Sequence, residues 1–267
     1  MTRETPHANH PSSGPLAEAV RQASVTREKA HRPWPLPSRM WVMGQTWEGL
    51  LFAHWRLEPE RLQRLVPGLP VDTFGGDAWL GITPFVVTGL RVVGTPPVPG
   101  LSRFPELNVR TYVTLEDKPG IYFFSLDAGH RLAVTAARRL YRLPYFRARM
   151  RMRRSGDWVE YESRRVDGAI PAEFRGRYRP TGPVQTAEPG TLPYFLAERY
   201  CLYTIGPDGG IFRAEIHHPP WPLQTAEAEL ETNTMAPAGL ELPGDPLLHF
   251  AERQDVVVWP LERANAP

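Results

Sequence analysis

Between Met40 and Trp259 the chain runs in short stretches that alternate apolar and polar residues, most of them closed by proline or glycine. Glu106–Leu115 is the clearest. Leu107, Val109, Thr111, Val113 and Leu115 share one face of an extended strand, and Glu106, Asn108, Arg110 and Tyr112 share the other. A period of two signals a strand, and 30 prolines and 22 glycines interrupt any long helix. Further strand-like stretches are Met40–Trp55, Asp77–Val93, Ile211–His218, Thr225–Thr232 and Phe250–Trp259. Two hairpins are expected, one around Asp117-Lys118-Pro119-Gly120 and one pairing Tyr145–Arg153 with Trp158–Arg165 across Ser155-Gly156. Helical signals are confined to Pro59–Val66, Leu132–Tyr141 and Leu192–Tyr203, the last with Thr191 as N-cap. Such a chain is expected to form a β-rich α+β domain, a barrel or a sandwich.

Residues 1–38 are rich in Pro, Ser, His and charge. They read as a flexible extension with a weak helical pattern at Leu16–Lys29, leaving 39–267 as a single domain. No apolar run is long enough for a membrane span, and the N-terminus lacks the apolar stretch of a secretory signal, so a cytoplasmic protein without membrane contact is expected. Cys201 is the single cysteine, which excludes an internal disulfide and a cysteine-built zinc site. Of 31 Lys and Arg residues only Lys29 and Lys118 are lysines, and both sit in polar, turn-like contexts. Schiff-base chemistry needs a desolvated amine, so it is not expected here.

The polar face of Glu106–Leu115 is either a solvated surface or the wall of a polar cavity. In a cavity, Arg110 would grip a carboxylate and Glu106 would orient it or move a proton. Ser125 and Asp127 are expected on the same face of the neighbouring strand. Arg147, Arg149, Arg151 and Arg153 form a ladder that resembles a phosphate-binding stripe. A turn at Ser155-Gly156 would instead set Arg151 opposite Glu160 and Arg149 opposite Glu162, neutralising it, so no nucleic-acid partner is expected. Adjacent strand histidines point to opposite faces, so His217 and His218 do not share a metal. A site from His54, His218 and Glu106 is conceivable, but no metal or other cofactor is expected. On a helix Arg199 and Tyr203 would share a face, giving either a docked helix or a second arginine for an anion. The chain holds no GxSxG, P-loop or GxGxxG motif.

Several strings occur together: Leu65-Val66-Pro67-Gly68-Leu69-Pro70, Ala78-Trp79-Leu80-Gly81, Phe104-Pro105-Glu106-Leu107-Asn108-Val109-Arg110-Thr111-Tyr112-Val113, Glu198-Arg199-Tyr200 and His218-Pro219-Pro220-Trp221. The set, spanning about residues 40–260, resembles the YqjF-like family of uncharacterised proteins, a branch of the acetoacetate decarboxylase-like superfamily. The resemblance implies an antiparallel β-barrel or cone with a few short helices and an internal pocket lined by the polar strand. It places the decarboxylases' pocket glutamate at Glu106, and their Schiff-base lysine and its neighbour at Tyr145 and Phe146. One acid is kept and the nucleophile is lost, and a phenol does not replace an amine in imine formation.

The expected function is a small-molecule pocket for a small carboxylate or carbonyl compound, with catalysis on it left open. Glu106, Tyr145 and His218 are the catalytic candidates. Asn108, Arg110, Tyr112, Ser125, Arg138, Arg199 and His54 are the ligand-binding candidates. The alternative is a non-catalytic binding or structural module. A free sheet edge could support a homodimer.

Overall fold

The computed structural model describes residues 14–97 and 102–264. The first 13 residues of the expected extension and part of the loop at 95–100 lie outside the described residues. Twelve strands among the described residues form one continuous sheet: β1 (Met43–Leu57), β2 (Ala78–Val92), β3 (Phe104–Leu115), β4 (Lys118–Ala128), β5 (Tyr145–Ser155), β6 (Trp158–Arg165), β7 (Glu173–Pro180), β8 (Cys201–Ile205), β9 (Ile211–His217), β10 (Gln224–Asn233), β11 (Leu247–Val258) and β12 (Glu262–Arg263). Four α-helices accompany them: α1 (Pro15–Ser24), α2 (Pro59–Gln63), α3 (Arg131–Tyr141) and α4 (Leu192–Ala197).

The sheet closes on itself twice. Its order is β12-β9-β8-β4-β3-β2-β1-β11-β10-β7-β6-β5, with further pairings of β11 to β9 and of β5 to β4. The first closure makes a seven-strand ring from β9, β8, β4, β3, β2, β1 and β11. The second makes a nine-strand ring from β4, β3, β2, β1, β11, β10, β7, β6 and β5. The barrel fold read from the sequence is present, although β4 runs parallel to both β5 and β8. The five shared strands face one ring on each side. Accordingly β2 is buried along almost its whole length, whereas β6 and β7 alternate buried and exposed. Leu107 and Val109 of β3 pack into the nine-strand ring with Leu80, Ile82, Tyr161 and Phe174. Glu106, Asn108 and Arg110 face the other ring.

Local chemistry explains where the expectations shift. The β3–β4 turn falls on Glu116-Asp117, both with positive φ as a two-residue type I′ hairpin requires, so Lys118 opens β4 instead of sitting in the turn. In the next hairpin Ser155 pairs with Trp158, which moves the arginine ladder by two residues. Arg151 faces Glu162 and Arg153 faces Glu160, not the pairs expected. Opposite charges still meet at these two positions, whereas Arg149 faces Arg164, and the alternation spreads outward as Arg175, Arg177 and Arg179 pair with Glu231, Glu229 and Glu227. The helix expected at Leu192–Tyr203 ends at Ala197. Cys201–Ile205 pairs with β9 instead, because the ring needs a strand between β9 and β4.

The described part of the N-terminal extension, residues 14–38, is docked on the barrel, which corrects the expectation of a flexible segment outside the core. Gln22 is fully buried and donates to Thr46 Oγ1 and the Gly89 carbonyl, both at 3.1 Å. Gly89 must be glycine: its φ is +58°, and a β-carbon there would lie 2.3 Å from Glu18. Further along, buried Arg32 bonds to Glu215 and to the carbonyls of Ile216 and Tyr200. Glu215 also has Arg213 at 3.3 Å and Lys118 at 3.7 Å. Arg32→Met should therefore lower unfolding stability by about 3 kcal/mol, the low end of the range for breaking a buried pair, because two cations remain on Glu215. Chemical denaturation of the two proteins checks this.

Candidate functional site

Every strand of the seven-strand ring contributes to the lining of one cavity of about 150 Å³. Most of its wall is apolar, including Trp47, Phe85, Phe104, Phe123, Ile216 and Val258. Polar groups gather where β3 meets β5: Glu106, Asn108, Arg110 and Tyr145 all line the space. Helix α3 covers one side with Ala133, Ala136, Ala137 and Leu140. Its frame is set by His130, whose ring accepts from the Ala133 amide, and by Arg142, which adopts the left-handed conformation at the C-terminus.

Glu106 is the centre of the polar group. Tyr145 Oη donates to Glu106 Oε2 at 3.1 Å, and the Asn108 side chain also bonds to this carboxyl. Burial pushes Glu106 up to about 8, and these two bonds only partly oppose it. Burial, with Glu106 beside it, lifts Tyr145 well above the usual phenol range. At neutral pH both groups carry their protons.

Arg110 is buried, and among the described residues no carboxylate forms an ion pair with it. Its Nη2 donates to the Leu196 carbonyl at 3.3 Å, and the guanidinium lies 5.2 Å from the Phe52 ring centroid. Arg110 Nε and Asn108 Oδ1 are buried without any partner. Buried polar atoms normally find one, and of the atoms left without a partner these two belong to residues that line the cavity.

The other candidates stand elsewhere. Tyr112 and His54 lie behind Arg110 and do not line the cavity. Tyr112 Oη donates to the Leu196 carbonyl at 2.8 Å, so His54 Nε2, 2.6 Å away, carries the proton that Tyr112 accepts. Burial, then Arg110 and His249, holds His54 well below its ordinary value, hence neutral. Arg199 is engaged by Asp72 at 2.7 Å and stacks on Phe195, so it is no second anion grip, and it shares no helix with Tyr203. Arg138 is outside, bonded to the Tyr145 carbonyl and Asp167. His218 contacts the Pro219 and Arg199 carbonyls through its two ring nitrogens, and burial pulls it down to about 4. It does not line the cavity.

Ser125 and Asp127 were expected beside Glu106, but a bulge in β4 turns them away. Asn108 pairs with Leu126 and Arg110 with Phe123, so Ser125 and Asp127 face the nine-strand ring with Val109 and Leu107. There Asp127 is ion-paired with Arg165 at 2.7 Å. The sequence reading missed Gln45 and Thr83, polar lining residues in otherwise apolar strands, and Tyr141. Among the described residues no three His, Cys, Asp or Glu side chains group as metal ligands would. No helix of the described residues is long and apolar enough to cross a membrane.

The model of DUF2071, described as an uncharacterized conserved protein, matches residues 44–255. The chain belongs to this family. It is 49% identical over 231 residues to the uncharacterized protein YqjF of Bacillus subtilis (strain 168), covering 85% of this chain and 95% of that one. Solved structures with a similar fold include an acetoacetate decarboxylase-like enzyme from Sphingomonas wittichii RW1, with a TM-score of 0.58 and 14% identity over 89% of this chain and 98% of that one. Another is the enduracididine biosynthesis enzyme MppR complexed with pyruvate, with a TM-score of 0.58 and 10% identity over 90% and 95% of the two chains. At these identities the likeness shows the fold, the acetoacetate decarboxylase-like barrel expected from the sequence.

The state of Glu106 is open to test. An acid whose folded value is raised contributes stability that is full below its ordinary 4.5 and lost as pH rises through about 8. Glu106→Gln keeps the bond from Tyr145 and removes that penalty. It should match the parent near pH 4.5 and exceed it above pH 8 by on the order of 3–5 kcal/mol. Denaturant midpoints measured across that range decide the matter.

Proposed function

We propose that this protein binds a small carboxylate or carbonyl compound in the seven-strand cavity, with Arg110 holding the anion. One observation carries the reading: a buried guanidinium with no carboxylate partner, its Nε unpaired, on the wall of a cavity. Arginine suits a planar carboxylate because its fork of donors matches two oxygens. A space of about 150 Å³ holds a molecule about the size of benzene, which is also the size of a small keto acid. The fold neighbour MppR, complexed with pyruvate, gives the class further support.

Imine chemistry has no support. Lys118 is beside Glu215, Lys29 lies on the surface, and neither lines the cavity. The protonation of the site favours binding, or catalysis by proton donation, over proton abstraction. At neutral pH a neutral carboxyl beside a neutral phenol can give a proton to a carbonyl oxygen but takes none readily.

Titration calorimetry with pyruvate and acetoacetate tests the assignment. Arg110→Met should weaken binding at least about thirtyfold while leaving the melting temperature unchanged or higher, since it removes a charge with no carboxylate partner. Equal affinity in parent and variant would remove Arg110 from the site. Affinity should also fall above pH 8, where an ionised Glu106 repels the ligand and competes for Arg110. Glu106→Gln should flatten that fall. Borohydride treatment with pyruvate should leave the protein mass unchanged.

A further inference from the structure

The cavity has a direction. Glu106, Asn108 and Arg110 occupy alternate positions of β3, so the polar groups span about 13 Å of strand. Glu106 pairs with Ala128, just before α3, and Arg110 pairs with Phe123, further from it. Behind the wall, the Arg110 guanidinium contacts Phe52, Tyr112 and the α4 carbonyl of Leu196. At the other end α3 turns Ala133, Ala136, Ala137 and Leu140 towards the cavity, the i, i+3, i+4, i+7 face of a helix.

Three of those four positions are alanine. Tight packing does not require this, because α3 is anchored by buried Val134 and Tyr141, while Ala133 and Ala137 are only half-buried and Ala136 is exposed. The alanines therefore leave room between the helix and the polar wall. The helix side of that room is apolar, and the unpaired Arg110 Nε and Asn108 Oδ1 stand on the β3 wall that leads away from it.

From this arrangement we infer that the ligand is a monocarboxylate with a short unbranched apolar tail. Its head lies on Arg110, its tail runs under α3, and Ala133 and Ala137 set the length accepted. The inference rests on the binding reading given above and narrows it. The cavity volume suits acids of about four to six carbons. A dicarboxylate would bury a second charge against the apolar face of α3, at a cost in affinity.

Calorimetry with straight-chain acids from acetate to octanoate tests it, with succinate and lactate for comparison and Arg110→Met as the head-group control. In the parent protein, affinity should rise about fourfold per methylene up to the optimum and then fall. Ala137→Leu should move the optimum to an acid one or two carbons shorter and leave acetate binding as it was. Ala133→Leu provides a second, independent shift, and melting curves verify that both variants are folded. An unchanged length profile in both variants, or succinate binding as well as butyrate, overturns the tail assignment and leaves the anion site standing. If no acid binds the parent protein, the binding reading falls and this inference with it.

Discussion

Closure of β11 on β9 and of β5 on β4 makes two rings from one sheet, and the strands they share have little contact with water on either face. A polar side chain on such a strand must be satisfied within the protein or by something bound in it. On the nine-strand side the problem is solved internally, as where Arg165 pairs with Asp127. On the seven-strand side it is only half solved. Glu106 receives bonds from Tyr145 and Asn108, while Arg110 Nε and Asn108 Oδ1 receive none. Leaving a buried polar group unpaired costs about 1–3 kcal/mol, a cost that a bound anion would offset.

The same geometry explains what could be read from the sequence and what could not. The period of two on Glu106–Leu115 was legible because each ring buries one face of β3, and so were the turn signals that cut the chain into strands. The placement of Ser125 and Asp127 was not, because one bulged residue in β4 reverses the face of everything after it and leaves no mark in the alternation. Glu198-Arg199-Tyr200 sits where helical spacing promised a shared face. The demand for β8 in the ring overrode local propensity, and Arg199 went to Asp72. The arm at residues 14–38 looked detachable because its composition is polar. It docks through single buried groups, Gln22 and Arg32, which no hydrophobic pattern announces.

The chain's departure from the decarboxylase pattern is coherent when the charges are counted. The resemblance puts Tyr145 where a Schiff-base lysine would stand. A phenol there brings no cation to the Glu106 end and stabilises a protonated carboxyl by donating to it. That leaves Arg110 as the one cation lining the cavity among the described residues, further along β3 and beside the rings of Phe52 and Tyr112. A neutral acid and one guanidinium give the site a single positive charge, which one anion neutralises. The carboxyl of Glu106 is the internal rival for that role. Any ligand anion on Arg110 therefore makes ionisation of Glu106 harder, and ionisation of Glu106 makes the ligand bind less well by the same factor, because the two equilibria are linked through one cation.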